Sequence, residues 1–186
     1  MTPLQKKGAV AAGALTVARS LAAVPALLKD RSEPWRWRDT ALHTAAAITD
    51  KLDGDIARAT DGITPLGKAL DPAADKLFNT VLELEMVRRG ELDAWQLYTR
   101  VLRDLGVSAL RAYVSHETNG KADIGANISG KITTAGRLAT NILATSPAAE
   151  KLPRLRNKAQ LVVTLGLVAS GAYTSYKLLQ QTRRQR

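Results

Sequence analysis

The sequence predicts an all-α protein, a bundle of six helices that forms a single domain over residues 1–186. Three observations predict this class. Residues that favour helices, chiefly Ala and Leu, dominate the composition, whereas aromatic residues make up only 4% of it. No segment shows the long β-branched alternation that is typical of strands. Turn-forming residues divide the chain into about six segments of helical length.

The helix boundaries follow from loop and turn signals. Thr64-Pro65 predicts an N-cap followed by Pro at the first helical position, and Gly90 predicts a C-terminal end. Ser146-Pro147 ends the fifth helix, and residues 151–158 are expected to form a basic loop. Because the connections are short, consecutive helices should be antiparallel neighbours. The predicted helices cover about residues 8–28, 35–60, 65–89, 93–114, 128–144 and 159–179.

Charge and composition limit the chemistry. The net charge is +10, from 27 Lys and Arg against 17 Asp and Glu, which suits an anionic partner: nucleic acid, an anionic lipid surface or a phosphorylated substrate. The basic residues are scattered, which favours a solvated surface over a nucleic-acid groove, so we expect no nucleic-acid partner. The chain has no Cys and only two His, so its chemistry must come from carboxylates and cations.

Hydropathy leaves the membrane question open. Residues 159–176 provide 18 uncharged positions, and residues 8–28 are interrupted only by Arg19. Other predicted helices carry charges at mid-length, such as Glu83 and Glu85, and the mean hydropathy is −0.13. A membrane-embedded and a soluble helical protein are both compatible with these values.

Four aspartates are spaced so that they can converge. Asp50 and Asp53 are three residues apart, and Asp71 and Asp75 are four apart, so each pair lies on one face of its helix. The turn at Asp61-Gly62 folds the first of these helices back toward the second. Taken singly, each aspartate could instead be a cap, a turn residue or a solvated charge.

Four converging carboxylates require cations, because they would otherwise repel one another. Oxygen-rich sites suit hard divalent ions such as Mg²⁺ or Mn²⁺, and a pair of them can bridge a diphosphate. Gly54 and Ala57 would let a base or phosphate approach the backbone, and Arg58 could grip phosphate oxygens.

The segment resembles the motif of the CDP-alcohol phosphotransferase family, D-x-x-D-G-x-x-A-R, eight residues, then G-x-x-x-D-x-x-x-D, and every fixed position matches. The resemblance implies six transmembrane helices and two divalent metal ions, Mg²⁺ or Mn²⁺. It implies that Asp50, Asp53, Asp71 and Asp75 are metal ligands, with Asp75 also the general base. It assigns to the CDP pocket Gly54, Ala57, Arg58, Thr64, Gly67 and Thr16.

Three other segments are similar to those of the bacterial phosphatidylglycerophosphate synthases in this family. They are Leu15 to Arg19 followed by Pro25, residues 103–111, and residues 130–134. The resemblance implies a cationic cradle for the phosphate of an acceptor alcohol. Thr133 stands where these enzymes usually carry a second Lys, and Arg137 one turn later could replace its charge. The cradle residues are Arg103, Arg111, Lys131 and Arg137.

The resemblance therefore implies transfer of a phosphatidyl group from CDP-diacylglycerol to glycerol 3-phosphate, with release of CMP. It also implies a multi-pass cell-membrane protein with its active site facing the cytoplasm, and a homodimer. The alternatives are the same chemistry on inositol phosphate, serine or a lipid glycerol, or an inactive scaffold in a chain made soluble. A non-catalytic basic helical module that binds nucleic acid or an anionic membrane is the remaining alternative.

Overall fold

The structure is a computed structural model that describes residues 28, 30–59, 65–118 and 127–184; the side chains of residues 50–59, 65–75 and 184 are outside this description. The described residues form helices and no strands, which confirms the all-α class. Their helices are α1 (Trp37–Ala59), α2 (Pro65–Arg88), α3 (Ala94–Glu117), α4 (Ile128–Ala144), α5 (Pro147–Lys151) and α6 (Pro153–Arg184).

Most of the predicted helix boundaries are confirmed, but the prediction of a basic loop at residues 151–158 was wrong. That region contains the end of α5 and the first turns of α6. Pro147 and Pro153 each occupy the first position of a helix, where the missing N–H costs nothing, and the Arg and Lys residues that follow are good helix formers. The predicted helix over residues 8–28 lies outside the described residues, apart from the helical Leu28.

The helix ends have identifiable causes. Asn127 Oδ1 accepts a hydrogen bond from the Gly130 N–H (2.7 Å), and Ser146 Oγ accepts one from the Ala149 N–H (3.3 Å). Gly90 closes α2 with φ +70°, a left-handed conformation in which the next N–H, of Glu91, donates to the Met86 carbonyl at 2.8 Å.

Contacts between side chains establish that α1 and α2 are antiparallel. Trp35, just before α1, donates its indole N–H to Glu91, just after α2, at 2.9 Å. Farther along, the rings of His43 and Phe78 meet edge to face with centroids 6.3 Å apart. Residue numbers therefore rise along α1 as they fall along α2.

The remaining long helices extend the same arrangement. Arg100 contacts Gln160, and Arg103 contacts Ser170, so α3 and α6 are parallel. Asn127 donates to Thr174 at 2.9 Å, whereas Gln160 lies 3.4 Å from the Thr140 carbonyl, so α4 and α6 are antiparallel. We call the end of the bundle where α1 and α3 finish and α2 and α4 begin the motif end.

Among the described side chains, buried apolar residues form two small clusters toward the opposite end. Trp35, Ala46, Phe78 and Leu82 form one of them. The second consists of Met86, Leu92, Leu97 and Ala144. Between these clusters and the motif end, the described interior mixes charged and amide side chains with single buried apolar residues such as Val107 and Leu167. Polar contacts therefore carry much of the specificity with which these helices pack.

Large apolar side chains point outward instead. On α3, Tyr98, Leu102 and Leu105 are 66%, 68% and 60% exposed, and their spacing forms one stripe along the helix. On α6, Val162 and Leu165 are 68% and 57% exposed. Within the described part of the chain, no helix is both long enough and apolar enough to cross a membrane.

Candidate active site

The motif aspartates lie on the two helices that the α1–α2 turn connects. Asp50 and Asp53 belong to the C-terminal half of α1, and Asp71 and Asp75 to the first half of α2. The contact between the rings of His43 and Phe78 sets the register of α1 against α2. Continued at about 1.5 Å per residue, this register places the two aspartate pairs at about the same height along the helix axes. Their side chains lie outside the described set, so their convergence stays a prediction.

The side chains predicted to form the nucleotide pocket also lie outside the described set. Gly54, Ala57 and Arg58 lie on α1 and Gly67 lies on α2, with side chains outside the described set. Thr16 and Thr64 are outside the described residues altogether. Their assignment to the nucleotide pocket is therefore not tested by side-chain geometry.

Lys76 connects the motif helix to the predicted acceptor cations. It directly follows Asp75, and its ammonium donates to Ser108 Oγ on α3. Ser108 in turn donates to the Asp104 carbonyl at 2.7 Å. Ser108 lies between Arg103 and Arg111 in the sequence of α3, so this contact brings Lys76 of α2 against the segment of α3 that carries the two arginines.

Arg103 and Arg111 each have a buried N–H group without a hydrogen-bond partner among the described residues. Arg103 donates from Nη1 to Asp104 Oδ1 at 2.9 Å and from Nη2 to Ser170 Oγ at 3.1 Å, while its Nε has no acceptor in the described part of the chain. The same holds for the Nε of the half-buried Arg111, and the two like charges repel each other. An anionic ligand would satisfy such donors and relieve that repulsion.

Lys131 and Arg137 occupy different environments although they are close in sequence. Lys131 is exposed in the first turn of α4, at the motif end. Arg137 is 3% exposed and lies deeper. Its Nε and Nη2 donate to the two carboxylate oxygens of Glu83 at 2.7 and 2.6 Å, and its Nη1 donates to Asp104 at 2.5 Å.

Glu83 is the centre of a buried ionic network. Besides the paired bonds from Arg137, it accepts from Arg100 Nη1 at 2.6 Å and from Asn141 Nδ2 at 3.0 Å. Asp104 accepts hydrogen bonds from both Arg137 and Arg103, so it connects Arg103 to this network. The carboxylates of Glu83 and Asp104 thus neutralise the buried guanidinium groups of Arg100 and Arg137, and Asp104 also accepts a hydrogen bond from Arg103.

Arg100 ties this network to α6. Its Nη2 donates to both the backbone carbonyl and the side-chain oxygen of Gln160, each at 2.8 Å, and its Nε donates to Thr164 at 3.0 Å. Sequence reasoning did not identify Arg100 or Glu83 as partners. The signal in the sequence was a charged residue in the middle of an otherwise apolar helix. Burying such a charge is costly unless it pairs with a counterion inside the bundle.

A groove of about 730 Å³ opens between the first turns of α4 and the second half of α6. Ser129, Thr133, Ser170 and Lys177 contribute polar groups to its lining. Thr133 Oγ1 on α4 and Ser170 Oγ on α6 lie 3.0 Å apart. The Ser170 hydroxyl, which accepts the hydrogen bond from Arg103, therefore also borders this groove.

The chemistry of the predicted donor set fits divalent metal ions. Among the side chains that the structure describes, no group of three or more His, Asp or Glu could hold a metal. The four motif aspartates are outside that set. Four carboxylates on two neighbouring helices provide the hard oxygen ligands that Mg²⁺ and Mn²⁺ favour.

A separate charged cluster surrounds Trp35 at the opposite end. The Trp35 backbone N–H donates to Glu150 at 2.5 Å, and the Arg89 guanidinium lies 4.2 Å from the centroid of its ring. Burial raises the pKa of the nearby Glu91 carboxyl, against the opposing influence of the Trp35 indole and the charges of Arg156 and Arg89. This cluster joins the start of α1 to the α2–α3 turn.

Comparison with known protein families agrees with the motif. The CDP-alcohol phosphatidyltransferase family model matches residues 9–171, which is most of the chain. The chain belongs to this family. The match includes α1, α2, the cation-bearing helices α3 and α4, and more than half of α6.

Curated relatives are about one-third identical to the chain over the aligned regions. It is 34% identical over 104 residues to the CDP-diacylglycerol–glycerol-3-phosphate 3-phosphatidyltransferase of Rickettsia bellii, covering 54% of the chain and 57% of that protein. The enzyme of the same name from Pseudomonas fluorescens is 34% identical over 161 residues, or 81% of the chain and 77% of the relative. The cardiolipin synthase (CMP-forming) of Oryza sativa subsp. japonica is 33% identical over 156 residues, 75% of the chain and 46% of that protein.

Proposed function

We propose that the protein transfers a phosphatidyl group from CDP-diacylglycerol to glycerol 3-phosphate, forming phosphatidylglycerophosphate and releasing CMP. The observation that carries this proposal is the contact of Lys76, the residue after Asp75, with Ser108, which supports a location of the α2 aspartates near the α3 segment that carries Arg103 and Arg111. The names of the bacterial relatives support the same donor and acceptor.

Asp75 is the residue proposed to move the proton. Its carboxylate accepts the proton of the sn-1 hydroxyl of glycerol 3-phosphate. The hydroxyl oxygen then forms a bond to the β-phosphorus of CDP-diacylglycerol, and the bond from that phosphorus to the oxygen shared with CMP breaks. Arg58 balances the charge that develops on the departing CMP. Gly54 and Ala57 leave room for the nucleotide against the α1 backbone.

The proposed metal ligands are Asp50, Asp53, Asp71 and Asp75. When bound, a divalent pair neutralises the diphosphate and stabilises charge on the attacking and leaving oxygens. Without cations, four carboxylates at one level of an antiparallel helix pair would destabilise the fold by mutual repulsion. The same aspartates therefore contribute to substrate binding and to stability of the motif end.

Arg103, Arg111 and Lys131 are proposed to bind the acceptor phosphate. The unmet Nε donors of the two arginines support this assignment, because a phosphate provides several strong acceptor oxygens. Lys131 adds a mobile point charge from the first turn of α4. Arg137 contributes indirectly, through the Asp104 carboxylate that it shares with Arg103.

A lipid glycerol is the second candidate acceptor, because the rice relative is named a cardiolipin synthase. Its phosphate would be a diester with fewer charged oxygens than that of glycerol 3-phosphate. Two half-buried arginines with unmet donors favour the more highly charged monoester. We therefore place glycerol 3-phosphate first.

We also propose that the protein works in the cell membrane, with the motif end toward the cytoplasm. The outward stripe of Tyr98, Leu102 and Leu105 on α3 supports lipid contact, whereas Arg100 and Asp104 of the same helix are buried. Arg100 and Asp104 are buried and paired, so they lower the hydropathy of α3 without facing the acyl chains.

The test is CMP release by the full chain in detergent micelles containing CDP-diacylglycerol, with Mg²⁺ or Mn²⁺. Glycerol 3-phosphate, inositol phosphate, serine and phosphatidylglycerol are supplied separately as acceptors. We expect release with glycerol 3-phosphate and a loss of at least about 100-fold in D75N. Full activity of D75N would refute the mechanism, and release with another acceptor alone would refute the substrate assignment.

A further inference from the structure

We propose that Ser170 and Gly171 of α6 are positioning residues that hold the Arg103 guanidinium in place for the acceptor phosphate. This inference rests on the proposed function and adds α6, which carries none of the predicted site residues. Arg103 has a long, flexible side chain whose ordering is costly in entropy, so a binding role requires neighbours that fix it.

Ser170 fixes the far end of the side chain. Its Oγ accepts a hydrogen bond from Arg103 Nη2 at 3.1 Å, while Asp104 Oδ1 accepts from Nη1 at 2.9 Å. Ser170 is itself 4% exposed and is held by Thr133 Oγ1 at 3.0 Å and by the Leu167 carbonyl at 3.1 Å. With both terminal nitrogens anchored, the orientation of the remaining Nε–H donor is set.

Gly171 fixes the stem. A Cβ atom at this position would lie 2.9 Å from Arg103 Cγ and 3.2 Å from its Nε. Such distances are too short for ordinary contact, so the arginine stem lies flat against α6 only because residue 171 has no side chain. Any larger residue must push away the same Nε that lacks a protein acceptor.

Thr133 extends the support to α4. Its hydroxyl oxygen Oγ1 lies 3.0 Å from Ser170 Oγ, within hydrogen-bond distance. The result is a chain of contacts from Thr133 through Ser170 to Arg103. It connects three helices at the motif end and determines where one acceptor-binding charge is held.

Steady-state kinetics on G171A and S170A test the proposal, with G136A as the matched control. A Cβ at Gly136, on the same α4–α6 interface, would make only an ordinary contact, 4.0 Å from Val163 Cγ2. We expect G171A and S170A to raise the KM for glycerol 3-phosphate about 10-fold, because a hydrogen bond to a charged group is lost or displaced. The kcat at saturating acceptor, the KM for CDP-diacylglycerol and all parameters of G136A should stay within about twofold of wild type.

Each outcome separates this inference from the proposed function. Wild-type turnover with an unchanged KM for glycerol 3-phosphate in both G171A and S170A overturns the positioning role and leaves the proposed function intact. Equal losses of kcat and of both KM values also overturn it, because they indicate general disruption. No wild-type CMP release with glycerol 3-phosphate overturns the proposed function and the positioning role together. S170A only removes an atom, so it remains informative if G171A fails to fold.

Discussion

Arg137 donates to both carboxylate oxygens of Glu83, at 2.7 and 2.6 Å, and this pair is buried where α2 meets α4. Parallel hydrogen bonds of this kind fix orientation as well as distance. Arg100 reaches the same carboxylate from α3, at 2.6 Å, and then binds α6 through Gln160. One glutamate therefore sets the relative position of four helices, below the end that carries the aspartate motif.

Replacing Glu83 by Gln should destabilise the fold strongly. The substitution keeps the shape but leaves two buried guanidinium groups with only Asp104 as a counterion, at a cost of about 3–5 kcal/mol. Thermal and denaturant unfolding in detergent would measure this decrease in the free energy of unfolding. E33Q is the control, because the Glu33 carboxylate forms an exposed pair with Arg36 at 3.8 Å, worth less than about 1 kcal/mol. Equal stability of the two variants would contradict the role of Glu83.

Removing the charge of Arg111 should weaken acceptor binding without preventing folding. We expect R111Q to raise the KM for glycerol 3-phosphate about 10-fold or more, because a charge-assisted hydrogen bond is lost. The KM for CDP-diacylglycerol should be unaffected. R154Q removes an equivalent charge from an exposed position in the first turn of α6, at the opposite end, and should behave as wild type. Similar effects of the two substitutions would indicate a nonspecific loss of charge.

Metal removal should abolish CMP release, and added Mg²⁺ or Mn²⁺ should restore it. D71N should raise the Mn²⁺ concentration required for half-maximal binding about 10-fold or more, since one of four ligands loses its charge. Electron paramagnetic resonance of free Mn²⁺ measures binding independently of turnover. D93N is the matched control, because Asp93 precedes α3 without a side-chain capping bond. Mn²⁺ binding by D71N equal to that of D93N would remove Asp71 from the ligand set.

Glu91 should make stability depend on pH with a defined sign. Its pKa is raised in the folded protein, chiefly by burial, above the ordinary value of 4.5. Its contribution is therefore fully present below the unfolded pKa and is lost as pH rises through the folded pKa. Thermal unfolding of wild type and E91Q between pH 4 and pH 8, about the range that covers this titration, tests the sign. The stability of wild type relative to E91Q should fall as pH rises, and a rise would show that the ionised form is favoured.

Two Gly→Ala substitutions should have opposite effects on stability. G90A places a Cβ at φ +70° and should cost about 1 kcal/mol, although no atom lies within 4 Å of the added carbon. G106A adds a Cβ to an open position inside α3 and should stabilise by about 0.5–1 kcal/mol. Chemical denaturation compares them under one set of conditions. Stabilisation by G90A would mean that the α2 C-terminus does not depend on the left-handed residue.

Local signals explain why the helix boundaries were largely predictable. Pro65 and Ser146 each mark a helix start through their own backbone or capping chemistry, which does not depend on distant residues. The error at residues 151–158 arose from reading a run of Arg and Lys as a loop. These residues are good helix formers, and Pro153 starts α6 rather than interrupting it.

The sequence by itself determined the helical class, the family and the spacing of four aspartates along two helices, because each depends on residues that are near one another in the chain. Tertiary structure decided which charges face inward. Arg100 and Arg137 pair with Glu83 across 17 and 54 residues of chain, and Arg103 lies against Ser170 and Gly171 on α6. Such partners are selected by helix packing and by the cost of burying an unpaired charge, and local spacing does not specify either.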